Sequence, residues 1–155
     1  MKLEPTERLW FDGQLVPWQE ARVHVLSHAL HYASSAFEGL RAYSTPRGPA
    51  IVQLGKHVER LFRTCKVIEL EIPFTPSEIE AAILETVRDS GLASCYIRPL
   101  VFRGLGVLGV DPTGCPVHVV VATWPHGGHF GDEGRERGVS LGISSWRRMG
   151  PSTHP

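Results

Sequence analysis

The apolar residues of this chain abandon one spacing for another near residue 55, and that change confines it to a mixed fold. Upstream they form short runs around turn signals. Leu9-Trp10-Phe11 and Gln14-Leu15-Val16 flank Asp12-Gly13, a pair that accepts the two positive φ angles of a tight type I′ hairpin. A second hairpin is expected from Phe37–Tyr43, through Thr45-Pro46-Arg47-Gly48, to Ala50–Leu54. Then Val58, Leu61, Phe62, Cys65 and Ile68 recur every three or four residues, which is one helix face. The next helix carries explicit boundaries: Thr75 with Glu78 as a capping box, Pro76 at the first helical position and Gly91 at the far end. Ile79, Ala82, Ile83 and Val87 are its buried stripe. Two β-rich segments follow, Cys95–Phe102 and Val117–Trp124, and a last strand is expected over Val139–Ser145. Strands in pairs with helices grouped between them predict an α+β fold, an antiparallel sheet with helices packed on one face.

Composition narrows the function classes. With 42% hydrophobic residues in 155, a packed domain is expected and disorder is not. Lys and Arg total 16, as do Asp and Glu, so the formal net charge of +0 supplies no electrostatic footprint for nucleic acid or an anionic membrane. No apolar run approaches the roughly 18 residues of a membrane span. The first residues, MKLEPTERLW, lack a signal peptide's apolar core. Cys65, Cys95 and Cys115 are odd in number and widely spaced, which is neither a disulfide framework nor a zinc pattern and reads as reduced thiols in a cytoplasmic protein. The polar, Gly-rich stretch from Gly127 to Gly138 resembles a linker, and a chain stopping in a loop after one more strand reads as the front part of something longer. The expected organisation is a small domain over 1–130, a linker over 131–138 and the start of a second domain over 139–155.

Three motifs bear on chemistry. Gly104-Leu-Gly106-Val-Leu-Gly109 fits G-x-G-x-x-G, but a dinucleotide fingerprint must open a helix directly after a strand. Here a turn signal, Asp111-Pro112-Thr113-Gly114, follows and leads into a strand. His24, His28 and His31 fall at helical spacing and could share a face; the zinc pattern H-E-x-x-H is absent, since Val25 follows His24, and hydrogen-bonded structural histidines are expected rather than a metal site. Tyr96 and Arg98 share one strand face by alternation, and Arg41 lies in another apolar strand. An aromatic ring beside a guanidinium suits recognition of a carboxylate or other anion, and it equally suits an ordinary salt bridge. On spacing alone Arg60 is a solvated helix residue.

The stretch Val23–Tyr43, VHVLSHALHYASSAFEGLRAY, resembles the signature of branched-chain amino acid aminotransferases, pyridoxal phosphate enzymes of the class IV (fold type IV) transaminases. Further matches follow in order: Trp10-Phe-Asp-Gly13, His57-Val-Glu-Arg60-Leu, Cys95-Tyr-Ile-Arg-Pro-Leu100, Gly104–Pro112, Thr123-Trp-Pro and Ser144-Ser-Trp-Arg-Arg148. The resemblance implies that Arg60 holds the cofactor phosphate and that Phe37, Gly39, Arg41, Tyr96 and Arg98 line the substrate pocket. It also implies that Tyr32 and Val110 reach into a neighbouring subunit's pocket, so a homodimer is expected, acting on small amino acids and 2-oxo acids. Where the family usually reads Trp-Gly-Ala-Tyr after Trp124-Pro125, this chain has His126-Gly-Gly-His129, which places two imidazoles at aromatic pocket positions. Lys2, Lys56 and Lys66 do not match the family's Schiff-base lysine, which is expected beyond Pro155, so no catalytic residue is assigned and the 155 residues alone are expected to be inactive. Two other functions are compatible with these residues: a non-catalytic dimerising or regulatory fragment, and a class IV aminotransferase of different substrate specificity.

Overall fold

A computed structural model of the chain describes residues 3–125, 131–148 and 150. The Asp12-Gly13 turn forms as its residues dictate. β1 (Arg8–Phe11) and β2 (Gln14–Pro17) pair antiparallel with Phe11 opposite Gln14, and Asp12 and Gly13 take φ of 46° and 103°. The Asp12 carboxylate then accepts from Val119 N at 2.7 Å and contacts His118 Nδ1 at 2.6 Å, which fastens this hairpin to the strand beside it.

The second hairpin departs from expectation in two places. Its first strand is split into β3 (Ser35–Phe37) and β4 (Leu40–Tyr43) at Glu38-Gly39. Both pieces pair with β6 (Cys95–Arg103) in one unbroken register, Phe37 opposite Leu100 and Leu40 opposite Ile97. The interruption falls opposite Pro99: Glu38 N donates to Pro99 O at 3.0 Å, but proline has no N–H to return. The returning strand β5 is only Ala50–Ile51, because Gln53 turns left-handed at φ 55° and α2 (Leu54–Val67) starts where the strand was expected to finish.

α2 and α3 (Pro76–Ser90) cover one face of a seven-stranded sheet ordered β2-β1-β7-β6-β4-β5, with β3 also on β6 and with β7 spanning Val117–Trp124. The architecture is the predicted α+β arrangement. The capping box of α3 is closed in both directions, Glu78 N to Thr75 Oγ1 at 3.3 Å and Thr75 N to Glu78 Oε2 at 2.7 Å. Its stripe Ile79, Ala82, Ile83 and Val87 is buried against Leu40, Ile97, Val101, Val119 and Val121 and the α2 residues Val58, Leu61 and Cys65. Each buried branched side chain contributes about 1.5–3 kcal/mol. Ile68, expected on the α2 face, instead follows the helix as its cap and is exposed.

The chain divides into two compact units, Met1–Pro125 and His126–Pro155. In the second, Gly131–Arg137, within the expected linker, forms a short helix, α4; Arg137 Nη1 reaches Glu133 Oε1 at 3.1 Å, four residues back, which supports a helix. The strand expected over Val139–Ser145 is absent. Those residues have no strand partner among the described residues, and Leu141 and Ile143 of the alternating run stand exposed. No helix among the described residues is long and apolar enough to cross a membrane.

Candidate functional site

The sheet face that α2 and α3 leave open carries the residues singled out by alternation. Arg98 lies half-buried on β6 with its guanidinium carbon 4.2 Å from the centroid of the Phe37 ring, 5.3 Å from Tyr96 and 6.0 Å from Trp124. Its Nη2 donates to Tyr96 Oη at 3.0 Å. Its Nε is buried and has no hydrogen-bond partner among the described residues. Tyr96 packs on Trp124, directly opposite on β7, at 4.8 Å between ring centroids. A Cβ at Gly39 would collide with Tyr96 Oη, so the absence of a side chain there is what lets the tyrosine hydroxyl approach β4. Phe37, Gly39, Tyr96 and Arg98 therefore form one cluster. Arg41 stands opposite Tyr96 on β4, with its guanidinium 5.6 Å from the Tyr43 ring. A guanidinium held over aromatic rings offers a weakly hydrated planar face and an edge of N–H donors, suited to apolar groups and to carboxylates respectively. Trp124 belongs to this cluster and was not singled out from the sequence; pairing the two β-rich segments as a hairpin would have set it opposite Tyr96.

Arg60 stands apart from that cluster; it is exposed, as its spacing predicts, but it is also tethered to a buried partner. From α2 its Nε and Nη2 donate to Glu38 Oε1 and Oε2 at 2.5 and 2.6 Å, and His57 Nδ1 lies 2.8 Å from Glu38 Oε2. Glu38 sits at the β3–β4 break, between Phe37 and Gly39, with its side chain turned to the helix side and 5% exposed. Burial pushes its pKa up, but the hydrogen bonds and charges of Arg60 and His57 outweigh that and hold it below the ordinary carboxylate range. A glutamate inside an apolar strand was the available signal for this group, and sequence reasoning missed it.

Tyr32 and Val110 come from separate segments that His28 joins. Tyr32 ends the short helix α1 (His28–Tyr32), is exposed, and stacks on the His28 ring at 4.5 Å; Val110 is 85% exposed in the loop after β6. The three histidines do not share a face. His24 precedes α1 and accepts from Leu26 N at 3.1 Å, His31 bonds Val25 O at 2.9 Å, and buried His28 contacts Ser34 Oγ and Gly109 O. Among the described residues no group of three His, Cys, Asp or Glu could hold a metal. The G-x-G-x-x-G segment is a loop, and two of its glycines serve close packing: a Cβ on Gly104 would collide with the His118 ring and one on Gly106 would stand 2.7 Å from Gly114 O. His126 and His129 lie outside the described residues. A surface groove of about 660 Å³ between the last turn of α2 and Glu69–Ile72 is lined by none of these residues.

Residues 35–155 match the family model for amino-transferase class IV. The branched-chain-amino-acid aminotransferase of Pseudomonas aeruginosa is 43% identical over 140 residues, 90% of this chain and 46% of that protein. Its counterpart from Escherichia coli K12 is 38% identical over 156 residues, 100% of this chain and 50% of its own length. A crystal structure of the Escherichia coli branched-chain amino acid aminotransferase superposes with a TM-score of 0.92 at 38% identity, over 97% of this chain and 50% of that one. The branched-chain aminotransferase from the thermophilic archaeon Thermoproteus uzoniensis, solved with norvaline, superposes at 0.87 with 37% identity, over 97% of this chain and 50% of that one. The chain spans about half the length of the curated relatives it matches. With the fold and a family match over most of its length in agreement, the chain belongs to the class IV amino-transferases.

Proposed function

We propose that this chain is the small-domain part of a branched-chain amino acid aminotransferase that moves an amino group between leucine, isoleucine or valine and 2-oxoglutarate. The observation that carries this reading is Arg98 set among Phe37, Tyr96 and Trp124, with a buried Nε that has no partner among the described residues. Such a site must hold both an aliphatic side chain and the distal carboxylate of glutamate. The aromatic walls receive the first, and the donor edge of Arg98 receives the second without a change of shape. Gly39 admits the Tyr96 hydroxyl to this wall, and Arg41 adds a second cation beside it.

Arg60 fits a phosphate monoester: Glu38 occupies its Nε–Nη2 edge, its side chain is 55% exposed, and Nη1 makes no hydrogen bond among the described residues. Arg60 would hold the phosphate of pyridoxal phosphate, whose chemistry when bound is withdrawal of electrons from the amino acid's Cα. The lysine that bonds to the cofactor and the rest of its binding site come from the part of the family's length that these residues do not span. Residues 1–130 form the small domain, and 131–138 connect it to the cofactor-binding part. Exposed Tyr32 and Val110 reach the pocket of a second copy, so the active form is a homodimer. The three buried, unpaired cysteines fit a cytoplasmic protein.

Arg98→Met in the full-length enzyme tests the reading, because it keeps the apolar stem and removes the donors. Losing a charge-assisted hydrogen bond of roughly 1.5–3 kcal/mol should lower kcat/KM for glutamate about tenfold to a hundredfold. kcat/KM for leucine should stay within about threefold, since only apolar contact changes. Equal losses for both substrates would remove Arg98 from side-chain recognition.

A further inference from the structure

Glu38 is 5% exposed, and the arginine it meets is 55% exposed. A carboxylate is expensive to bury, and only close charge-assisted partners offset that expense. Glu38 has three such contacts, two from Arg60 and one from His57, and its backbone is held by the bond from Glu38 N to Pro99 O. A guanidinium presents two bidentate edges, Nε–Nη2 and Nη1–Nη2. Glu38 occupies the first, which sets the plane of the group; Nη2 also lies 3.4 Å from His57 Nδ1, and the Nη1 side of the terminal edge is left for another anion. An arginine that has already given up its rotamer freedom in folding loses less of it on capturing a ligand.

We propose that Glu38 is a positioning residue that, through its bidentate contact, presets the terminal edge of Arg60 for a phosphate monoester, with His57 steadying the second carboxylate oxygen. This rests on the reading of Arg60 as a phosphate ligand. Glu38 lies between Phe37 and Gly39, so one three-residue step of backbone sets both the phosphate anchor and the wall of the substrate cluster. Its role is open to a test of sign. As a nearby negative charge, Glu38 repels an anion, and removing that charge should strengthen phosphate binding if charge is all it contributes. As a positioning group, its removal should weaken phosphate binding in spite of the charge gained.

The probes are pyridoxal phosphate and inorganic phosphate, titrated by calorimetry into the full-length protein and its Glu38→Gln, Glu38→Asp, Arg60→Ala and Glu38→Gln/Arg60→Ala variants. Thermal denaturation is run beside each so that affinity is referred to folded protein. Glu38→Gln and Glu38→Asp should both bind about five- to twentyfold more weakly; the aspartate keeps the charge but draws the oxygens back from the fork. Arg60→Ala should bind at least as weakly as either, and the double variant no more weakly than Arg60→Ala alone, because the two residues act as one unit. The Arg60 Nε–H resonance should exchange slowly with solvent in the parent and rapidly in Glu38→Gln. Parental or tighter binding by Glu38→Gln, with Arg60→Ala weakened, would overturn the positioning role and leave Arg60 a ligand. Parental binding by Arg60→Ala would overturn both.

Discussion

His28 Nε2 lies 2.9 Å from the carbonyl oxygen of Gly109, which joins the first helix to a loop 81 residues further along the chain. A carbonyl only accepts, so this bond puts the proton on Nε2, and Nδ1 then accepts from the Ser34 hydroxyl at 2.7 Å. The backbone repeats the connection, since His28 N donates to Gly104 O at 3.0 Å. One buried imidazole thus sets the segment bearing Tyr32 against the loop bearing Val110. His28→Ala would leave the part-buried Ser34 hydroxyl and Gly109 carbonyl without this partner, at a total cost of about 1–3 kcal/mol. Chemical denaturation should record a loss in that range, and hydrogen exchange at residues 105–110 should accelerate while the α3 amides change little beyond the global effect. Unchanged exchange in the loop would mean that the backbone bond alone holds it.

Gly39 makes a second, opposite test, of space rather than of bonding. Gly39→Ala drives a methyl group into Tyr96 Oη and should destabilise the domain by about 1–3 kcal/mol, the usual cost of overpacking. Removing the hydroxyl as well, in Gly39→Ala/Tyr96→Phe, should restore at least half of that loss. Thermal melts of the two variants decide it. A double variant no more stable than the single one would locate the clash elsewhere.

Where the chain was readable in advance, its instructions were local. Asp12-Gly13 makes its own turn, and Thr75, Pro76, Glu78 and Gly91 delimit α3 from within one helix. Alternation placed Tyr96 and Arg98 on one face because a strand's period acts over two residues. What was missed acts across the sheet or requires a partner. The break at Glu38-Gly39 falls opposite Pro99 on another strand, and the Glu-Gly pair inside Phe37–Tyr43 was its only local sign. Arg60 is the surface residue its spacing implies, but its tether was not legible because the buried partner is 22 positions away. The run Val139–Ser145 has a strand's alternation, yet alternation without a ladder partner makes no strand. His28 was readable as a structural histidine, but not what it ties together.

Buried thiols give a chemical readout of the core. Cys65, Cys95 and Cys115 are all unpaired and buried, and burial pushes the Cys65 thiol up to about 11. Since the thiolate is the nucleophile, Cys65 should be nearly inert to iodoacetamide in the folded protein near pH 8. All three should react within minutes once urea unfolds the chain. Rapid labelling of Cys65 under native conditions, located by mass spectrometry, would show that α2 opens without global unfolding.

The Glu38 cluster should also shape the acid limb of stability. In the folded state the Glu38 carboxyl loses its proton more readily than an ordinary glutamate, so over the acid range the unfolded chain binds more protons at this position. The resulting stabilisation is complete above the unfolded value, around pH 4.5, and is lost as pH falls from there through the lower folded value. Glu38→Gln removes the group and with it this dependence. The other carboxylates with lowered values, such as Glu78 and Asp111, are common to both proteins and drop out of the difference. Urea midpoints collected from about pH 7 down to about pH 3 should show the parent more stable than Glu38→Gln at neutral pH, with the gap closing below about pH 4.5. A gap that stays constant down to about pH 3 would mean that Glu38 ionises in the folded state as it does in the unfolded chain, and that its bonds to Arg60 and His57 leave its acidity unchanged.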